Sequence, residues 1–285
     1  MAESAARKNT YIMDAENAAE IARLSHLHRL ITSTVGGLLP PIAHIPSFQT
    51  MLDIASGPGD WVLDMASTYP DIQITGIDIS TLLTEYAMTR AQDQGLTNAH
   101  FCQMDAMRPL AFTDASFDLV HARHLYTFML ADAWPNLLRE CVRVTRPGGI
   151  VCLTEVELNL SNSAAQERFA HLLAQALQRA NMSFSANGHH SNITPMLGRF
   201  LRDAGCRYIR RAAYMLDYSA DEDTFSLGYQ HVVAGCKLLQ PFLLETGVAE
   251  EQELHRLQHL LQEELLAPEF CGVLIITTAW GTVPS

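Results

Sequence analysis

Between residues 51 and 155 the chain repeats one rhythm: a short apolar run, a tight turn, then a stretch whose apolar residues recur at helical spacing. Met51 to Ala55 reads as a buried strand, Ser56-Gly57-Pro58-Gly59 as a turn and Trp61 to Thr68 as a helix. Gln73 to Asp78 is predicted as a second strand, followed by a helix from about Thr81 to Gln94. Asn98 to Met104 and Phe117 to His121 supply the third and fourth strands. A helix over Trp134 to Val144, the Arg146-Pro147-Gly148-Gly149 turn and a strand from Ile150 to Glu155 close the series. Parallel neighbours need crossover connections, so this alternation predicts a mostly parallel sheet with helices on both faces. With later strands near Tyr208 to Tyr218 and Gly272 to Ala279, the expected fold is α/β, a Rossmann-like sheet of seven strands.

The flanks are helical. Ile21, Leu24, Leu27 and Ile31 form a stripe over residues 14 to 31, with Asp14 as the expected N-cap and a stop at Gly36-Gly37. Helices are also predicted over Ala164 to Asn181 and over Thr194 to Ala204, the latter capped by Thr194 with Pro195 at its first position. A helical block from about 222 to 265 separates the last two strands. It either caps the open end of the sheet, makes the contact of a homo-oligomer, or completes the core as a helical layer. The whole of 1–285 is therefore expected to be one domain: an N-terminal helical lid (1–48), a core sheet (49–221), the insertion (222–269) and a closing strand (270–285).

Charge narrows the function. The 285 residues carry 31 acids against 19 bases, a formal charge of −12. Binding to nucleic acid or an anionic membrane needs Lys and Arg to neutralise phosphate, so neither partner is expected. The one short basic cluster, Arg207, Arg210 and Arg211, reads as the charged edge of a strand. The first thirty residues lack an apolar signal core, and the most apolar run, Gly272 to Trp280, is about half of what a bilayer requires. Six cysteines lie far apart without a C-x-x-C pair, as in a reducing cytoplasm, where this chain is expected to reside. Gly188-His189-His190-Ser191 lacks the spacing of a metal site, so no metal is expected, and it reads as a loop at a pocket mouth.

The turn at 56–59 carries the chemistry. A glycine-rich turn between a strand and a helix lets a ligand approach the main chain closely, because glycine has no Cβ. Asp78 follows Gly59 by 19 residues, which puts a carboxylate at the end of the next strand, within reach of two ribose hydroxyls. A dinucleotide fingerprint starting at Gly57 requires Gly or Ala at 62, where Val62 stands, and no phosphate-cradling G-x-x-x-x-G-K-[ST] exists.

These residues resemble the class I S-adenosylmethionine-dependent methyltransferases. Asp53-Ile54-Ala55-Ser56-Gly57-Pro58-Gly59 matches their first motif, with Ala55 where the first glycine of x-G-x-G-x-G stands. Asp78, Met104-Asp105-Ala106, Phe117-Asp118-Leu119-Val120-His121 and Arg146-Pro147-Gly148-Gly149 match four further segments in order. The resemblance covers about residues 45 to 158. It implies S-adenosyl-L-methionine as cofactor, bound by Ala55, Ser56, Gly57 and Gly59, with Asp78 and Ile79 at the ribose and Asp105 and Ala106 at the adenine. It further implies that His121 offers its backbone carbonyl, and that Tyr11 either closes over the cofactor's carboxylate or staples the first helix.

Methyl transfer requires a nucleophile held about 3 Å from the methyl carbon with the sulfur behind it. Candidate catalytic groups stand at the carboxyl ends of strands four and five, where open α/β sheets hold ligands. His124 is either a base or a structural histidine; Glu155 is a base, a cation stabiliser or simply a strand end. The partner expected is a small methyl acceptor, apolar or aromatic, reacting through O, N or C. Met182, Phe184, Met196, Phe200, Met215, Tyr218, Phe225 and Tyr229 lie where the family builds its acceptor pocket. Two rivals remain: a protein that binds the cofactor without catalysis, and a nicotinamide-dependent oxidoreductase.

Overall fold

A computed structural model describes residues 10–42, 45–157 and 160–284. Its sheet runs β3 (Ala99–Gln103), β2 (Gln73–Asp78), β1 (Thr50–Ile54), β4 (Phe117–Arg123), β5 (Thr145–Val156) and β8 (Gly272–Thr282). The first five are parallel to their neighbours, and β8 runs antiparallel to β5. Beyond β8 lie β7 (Arg207–Asp217) and the two-residue β6 (Leu160–Ser161), both antiparallel to it. The seven expected strands are thus joined by a short eighth.

From β1 the chain winds one way through β2 to β3, and from β4 the other way to β5. The crevice where the winding reverses opens at the carboxyl ends of β1 and β4. Strands β1 and β4 are nearly fully buried because helices cover both faces. Helices α2 (Asp60–Thr68) and α3 (Thr81–Asp93) follow β1 and β2, and α4 (Trp134–Val144) precedes β5.

Helix α1 spans Ala18–Val35, and its N-cap is Asn17, whose side chain accepts from the Ala19 N–H; the expected cap, Asp14, lies outside the helix. Such a cap stabilises the helix by about 1 kcal/mol. Helix α5 (Ala164–Arg179) is followed by α6 (Ile193–Asp203). The expected Thr194 cap of α6 is corrected to Asn192, which takes a left-handed conformation (φ 53°) that asparagine tolerates better than a β-branched threonine. Thr194 instead turns its hydroxyl to the Glu157 carboxylate.

The block before the last strand forms α7 (Phe225–Leu238), α8 (Gln240–Glu245) and α9 (Glu251–Leu265). Val232, Leu243, Leu254, Leu261 and Leu265 of these helices share a core with Leu27 and Ile31 of α1, Phe169 and Leu172 of α5, and Ile276 of β8. No helix among the described residues is long and apolar enough to cross a membrane.

Candidate active site

The crevice at the ends of β1 and β4 is a cleft of about 1250 Å³, counted out to its open mouth. Its floor is the turn after β1. Ala55 and Gly57 both take left-handed conformations, with φ of 55° at each. A Cβ added at Gly57 would meet only Leu24 Cδ1, 3.8 Å away, so bare main chain faces the cleft. Gly59 does different work. A Cβ there would lie 2.8 Å from Ala87 and Phe101, so this glycine lets the start of α2 pack against α3 and β3. It does not line the cleft.

Asp78 stands beside the floor. One carboxylate oxygen accepts the Gly57 N–H and the other the Ser80 N–H, both at 2.9 Å. An ionised carboxylate has about four acceptor positions, so each oxygen keeps room for a ligand hydroxyl. Burial raises the Asp78 pKa above the ordinary aspartate value, opposed by the two backbone donors. Ile79, Asp105 and Ala106 border the same end of the cleft. Asp105 is steadied by the Met107 N–H at 2.9 Å and by Arg108 at 3.2 Å.

Behind the floor is a buried pair. His121 Nδ1 lies 2.8 Å from Asp53 Oδ1, and the ring stacks on Trp61 with centroids 4.0 Å apart. Asp53 and Trp61 line the cleft, whereas His121 does not. Loss of water lowers the His121 pKa, against the pull of Asp53. The imidazole, packed flat on Trp61, ties the end of β4 to α2.

At the far end of the cleft Arg123 reaches His28 of α1. Its Nη2 donates to His28 Nδ1 at 2.7 Å, so the His28 proton sits on Nε2 and points to Asp64 at 2.8 Å. Arg123 and His28 both line the cleft. Sequence reasoning overlooked His28. A histidine inside an amphipathic stripe carries no local signal of function.

The segment after β4 turns sharply at His124 (φ 57°), which opens a 3₁₀ turn over Leu125–Thr127. Glu155 holds that turn from behind. Its carboxylate accepts the Leu125 N–H at 2.8 Å and, at 3.5 Å, the Tyr126 N–H. Burial pushes its pKa up to about 8, despite these two donors. The structure does not bring Glu155 to the cleft. It is a positioning group for the turn that carries His124.

Past His124 lies a second cavity of about 800 Å³, which shares Tyr11, Leu24, Leu27, His124 and Thr127 with the cleft. His124 therefore stands at the junction. Its Nε2 is closed off from water and has no hydrogen-bond partner among the described residues. Desolvation, together with the Arg123 and Arg23 charges, lowers its pKa to about 3. The Tyr11 hydroxyl donates to Glu20 at 2.5 Å, and Glu20 grips Arg23 through two contacts of 2.7 Å. Arg23 also lies 3.3 Å from His231 Nδ1 of α7.

The residues expected to line an acceptor pocket lie elsewhere. Met182, Phe184, Met196, Phe200, Met215, Tyr218, Phe225 and Tyr229 line neither space. Met182 and Phe200 are buried core, Trp134 stacks on Phe200, and Met215 faces outward. The walls come instead from α1, α5 and α7, through residues such as Phe169, Leu173 and Val232. His189 and His190 also lie outside; their loop is held where Ser191 donates to Glu157.

Residues 51–149 match the model of a methyltransferase domain. Over 150 residues the chain is 30% identical to the N-methyltransferase verN of Clonostachys rogersoniana, spanning 52% of this chain and 50% of that protein. Over 135 residues it is 36% identical to the 27-O-demethylrifamycin SV methyltransferase of Amycolatopsis mediterranei, spanning 47% of each. The chain thus spans about half the length of these curated relatives. In fold it is similar to the YcgJ protein of Bacillus subtilis (TM-score 0.52, 16% identity, 91% of this chain and 98% of that one). It is also similar to phosphoethanolamine N-methyltransferase 2 of Haemonchus contortus, solved with phosphomonomethylethanolamine and S-adenosylhomocysteine (TM-score 0.51, 17% identity, 93% of this chain and 52% of that one).

Proposed function

We propose that this chain, whose residues 51–149 match a methyltransferase domain, is a class I S-adenosylmethionine-dependent methyltransferase that methylates a small, largely apolar metabolite. The observation that carries the reading is bare main chain at Ser56–Gly57 beside the Asp78 carboxylate, at the point where the sheet reverses its winding. Bound there, S-adenosylmethionine supplies a methyl carbon already activated by its positive sulfur.

The chain's own residues bind and orient. Asp78 takes the two ribose hydroxyls on its remaining acceptor positions, with Ile79 alongside. Asp105 and Ala106 border the adenine. Arg123, held by His28, meets the carboxylate of the amino-acid tail, while Tyr11 and α1 close the cleft from above. His124 stands where the acceptor enters, and its uncharged ring can accept a hydrogen bond from an incoming hydroxyl or amine. For a hydroxyl acceptor, methylation would release the hydroxyl proton, and His124 or water would take it up; an amine acceptor would release its proton to water. Glu155 keeps the turn beneath His124 in place.

The reading is tested by incubating the protein with methyl-labelled cofactor and a panel of apolar phenols, amines and enols. Label should appear in at least one acceptor with equimolar S-adenosylhomocysteine. Tight S-adenosylhomocysteine binding with no label across the panel would favour a protein that binds without catalysis, and binding of NADH in its place would favour an oxidoreductase.

A further inference from the structure

The second cavity contains a polar atom that nothing in the chain satisfies. Gln166 of α5 is only 2% exposed and lines this cavity. Its Nε2 donates to the Tyr218 hydroxyl at 2.6 Å, while its Oε1 has no hydrogen-bond partner among the described residues. Leaving a buried amide half satisfied is costly, which the fold tolerates best where a ligand completes it. Turning the amide over exchanges O for N without removing the deficit, because Tyr218 satisfies only one end.

Two features limit what can fill the gap. The walls around Gln166 are apolar, with Phe169, Leu173 and Leu274 nearby in the lining. The cavity's cation, Arg23, is matched by Glu20, and its carboxylate, Glu157, is turned to Ser191 and Thr194. An ionic acceptor would therefore find its charge poorly answered. A hydroxyl both donates and accepts, so it satisfies the Gln166 amide in either orientation.

Resting on the reading that this space receives the methyl acceptor, we infer that the acceptor is an uncharged, mostly apolar molecule with two polar handles. The nucleophile sits at His124, and a second hydroxyl binds Gln166. Gln166 is a specificity-determining residue, remote from the reacting atoms.

The test uses the S-adenosylhomocysteine-loaded protein and three probes, para-phenylphenol and the para,para′ and meta,para′ biphenyl diols, followed by calorimetry. At least one diol should bind about tenfold tighter than the monophenol, the scale of one completed buried hydrogen bond. In the double variant Gln166→Met/Tyr218→Phe, which removes both partners and leaves no new orphan, all three probes should bind alike. Affinity for para-phenylphenol and for S-adenosylhomocysteine should not change. If that variant does not fold, Gln166→Asn, which withdraws the amide, should show the same loss of preference. No diol preference in the parent protein, no binding of any probe, or a preference that survives the substitutions would overturn the inference. Failure to bind S-adenosylhomocysteine would sink the underlying methyltransferase reading; failure of the diol preference alone leaves that reading standing.

Discussion

The two spaces share five lining residues but are built differently. The floor of the cleft at β1 and β4 is main chain, where Ala55 and Gly57 take left-handed conformations and the Gly57 N–H donates to Asp78. The cavity beyond His124 is walled mainly by side chains of α1, α5 and α7, helices far apart in sequence, with Arg23, Gln166 and His231 among its polar residues. A site of main chain constrains the residues that form it, since few can take φ near +55° or leave the backbone bare. A site of side chains leaves those residues free to vary. On the proposed function, the cofactor region would stay fixed while the other is retuned for a different acceptor.

The sharpest way to break this division is to change His124, which touches both spaces. His124→Asn keeps a residue that tolerates a left-handed backbone but removes the imidazole. Turnover should fall by about 10²-fold, the lower scale for losing a proton-transfer group, with S-adenosylhomocysteine affinity unchanged. A parallel loss of cofactor affinity would mean that the two halves are not separable. Asp78→Ala should do the reverse, weakening S-adenosylhomocysteine binding by about 1–3 kcal/mol in calorimetry while leaving acceptor-probe affinity alone.

Glu155 sharpens the contrast from another side. Its folded pKa, about 8, is above the ordinary glutamate value, so the folded state holds this proton more tightly than the unfolded chain. The resulting stability is fully present below the unfolded pKa and is lost as pH rises through about 8. Glu155→Gln, which keeps an acceptor for the Leu125 N–H, should reduce that loss. Thermal melts of both proteins from acid to mildly alkaline pH would show it, and equal pH dependence would contradict the burial argument.

The smallest effect is expected at Ala55. A non-glycine residue at φ 55° is strained by roughly 1–2 kcal/mol, so Ala55→Gly should recover part of that in the folded state, offset by the greater freedom of unfolded glycine. The melting temperature should rise slightly, and cofactor affinity should hold or improve.

The same division explains what the sequence made legible. Strand, turn and acid recur at spacings set by backbone geometry, so the cleft, Asp78 and the sheet could be read from residues 51–155 directly. Gly59 and His121 lie in the right motifs but face inward, a distinction that depends on how α2 and β3 pack. The eight Met and aromatic residues expected around an acceptor line neither space, because such residues at helical spacing look alike whether they line a cavity or fill a core. Gln166, the orphaned amide, sits in an unremarkable helix at a position where only the tertiary contact with Tyr218 marks it.

A crystal structure of the protein with S-adenosylhomocysteine tests the central claim most directly. The account predicts both ribose hydroxyls on Asp78, the amino-acid tail passing over Ser56 and Gly57 toward Arg123, and the sulfur facing His124. A ligand bound elsewhere, with Asp78 still contacting only the Gly57 and Ser80 amides, would contradict it.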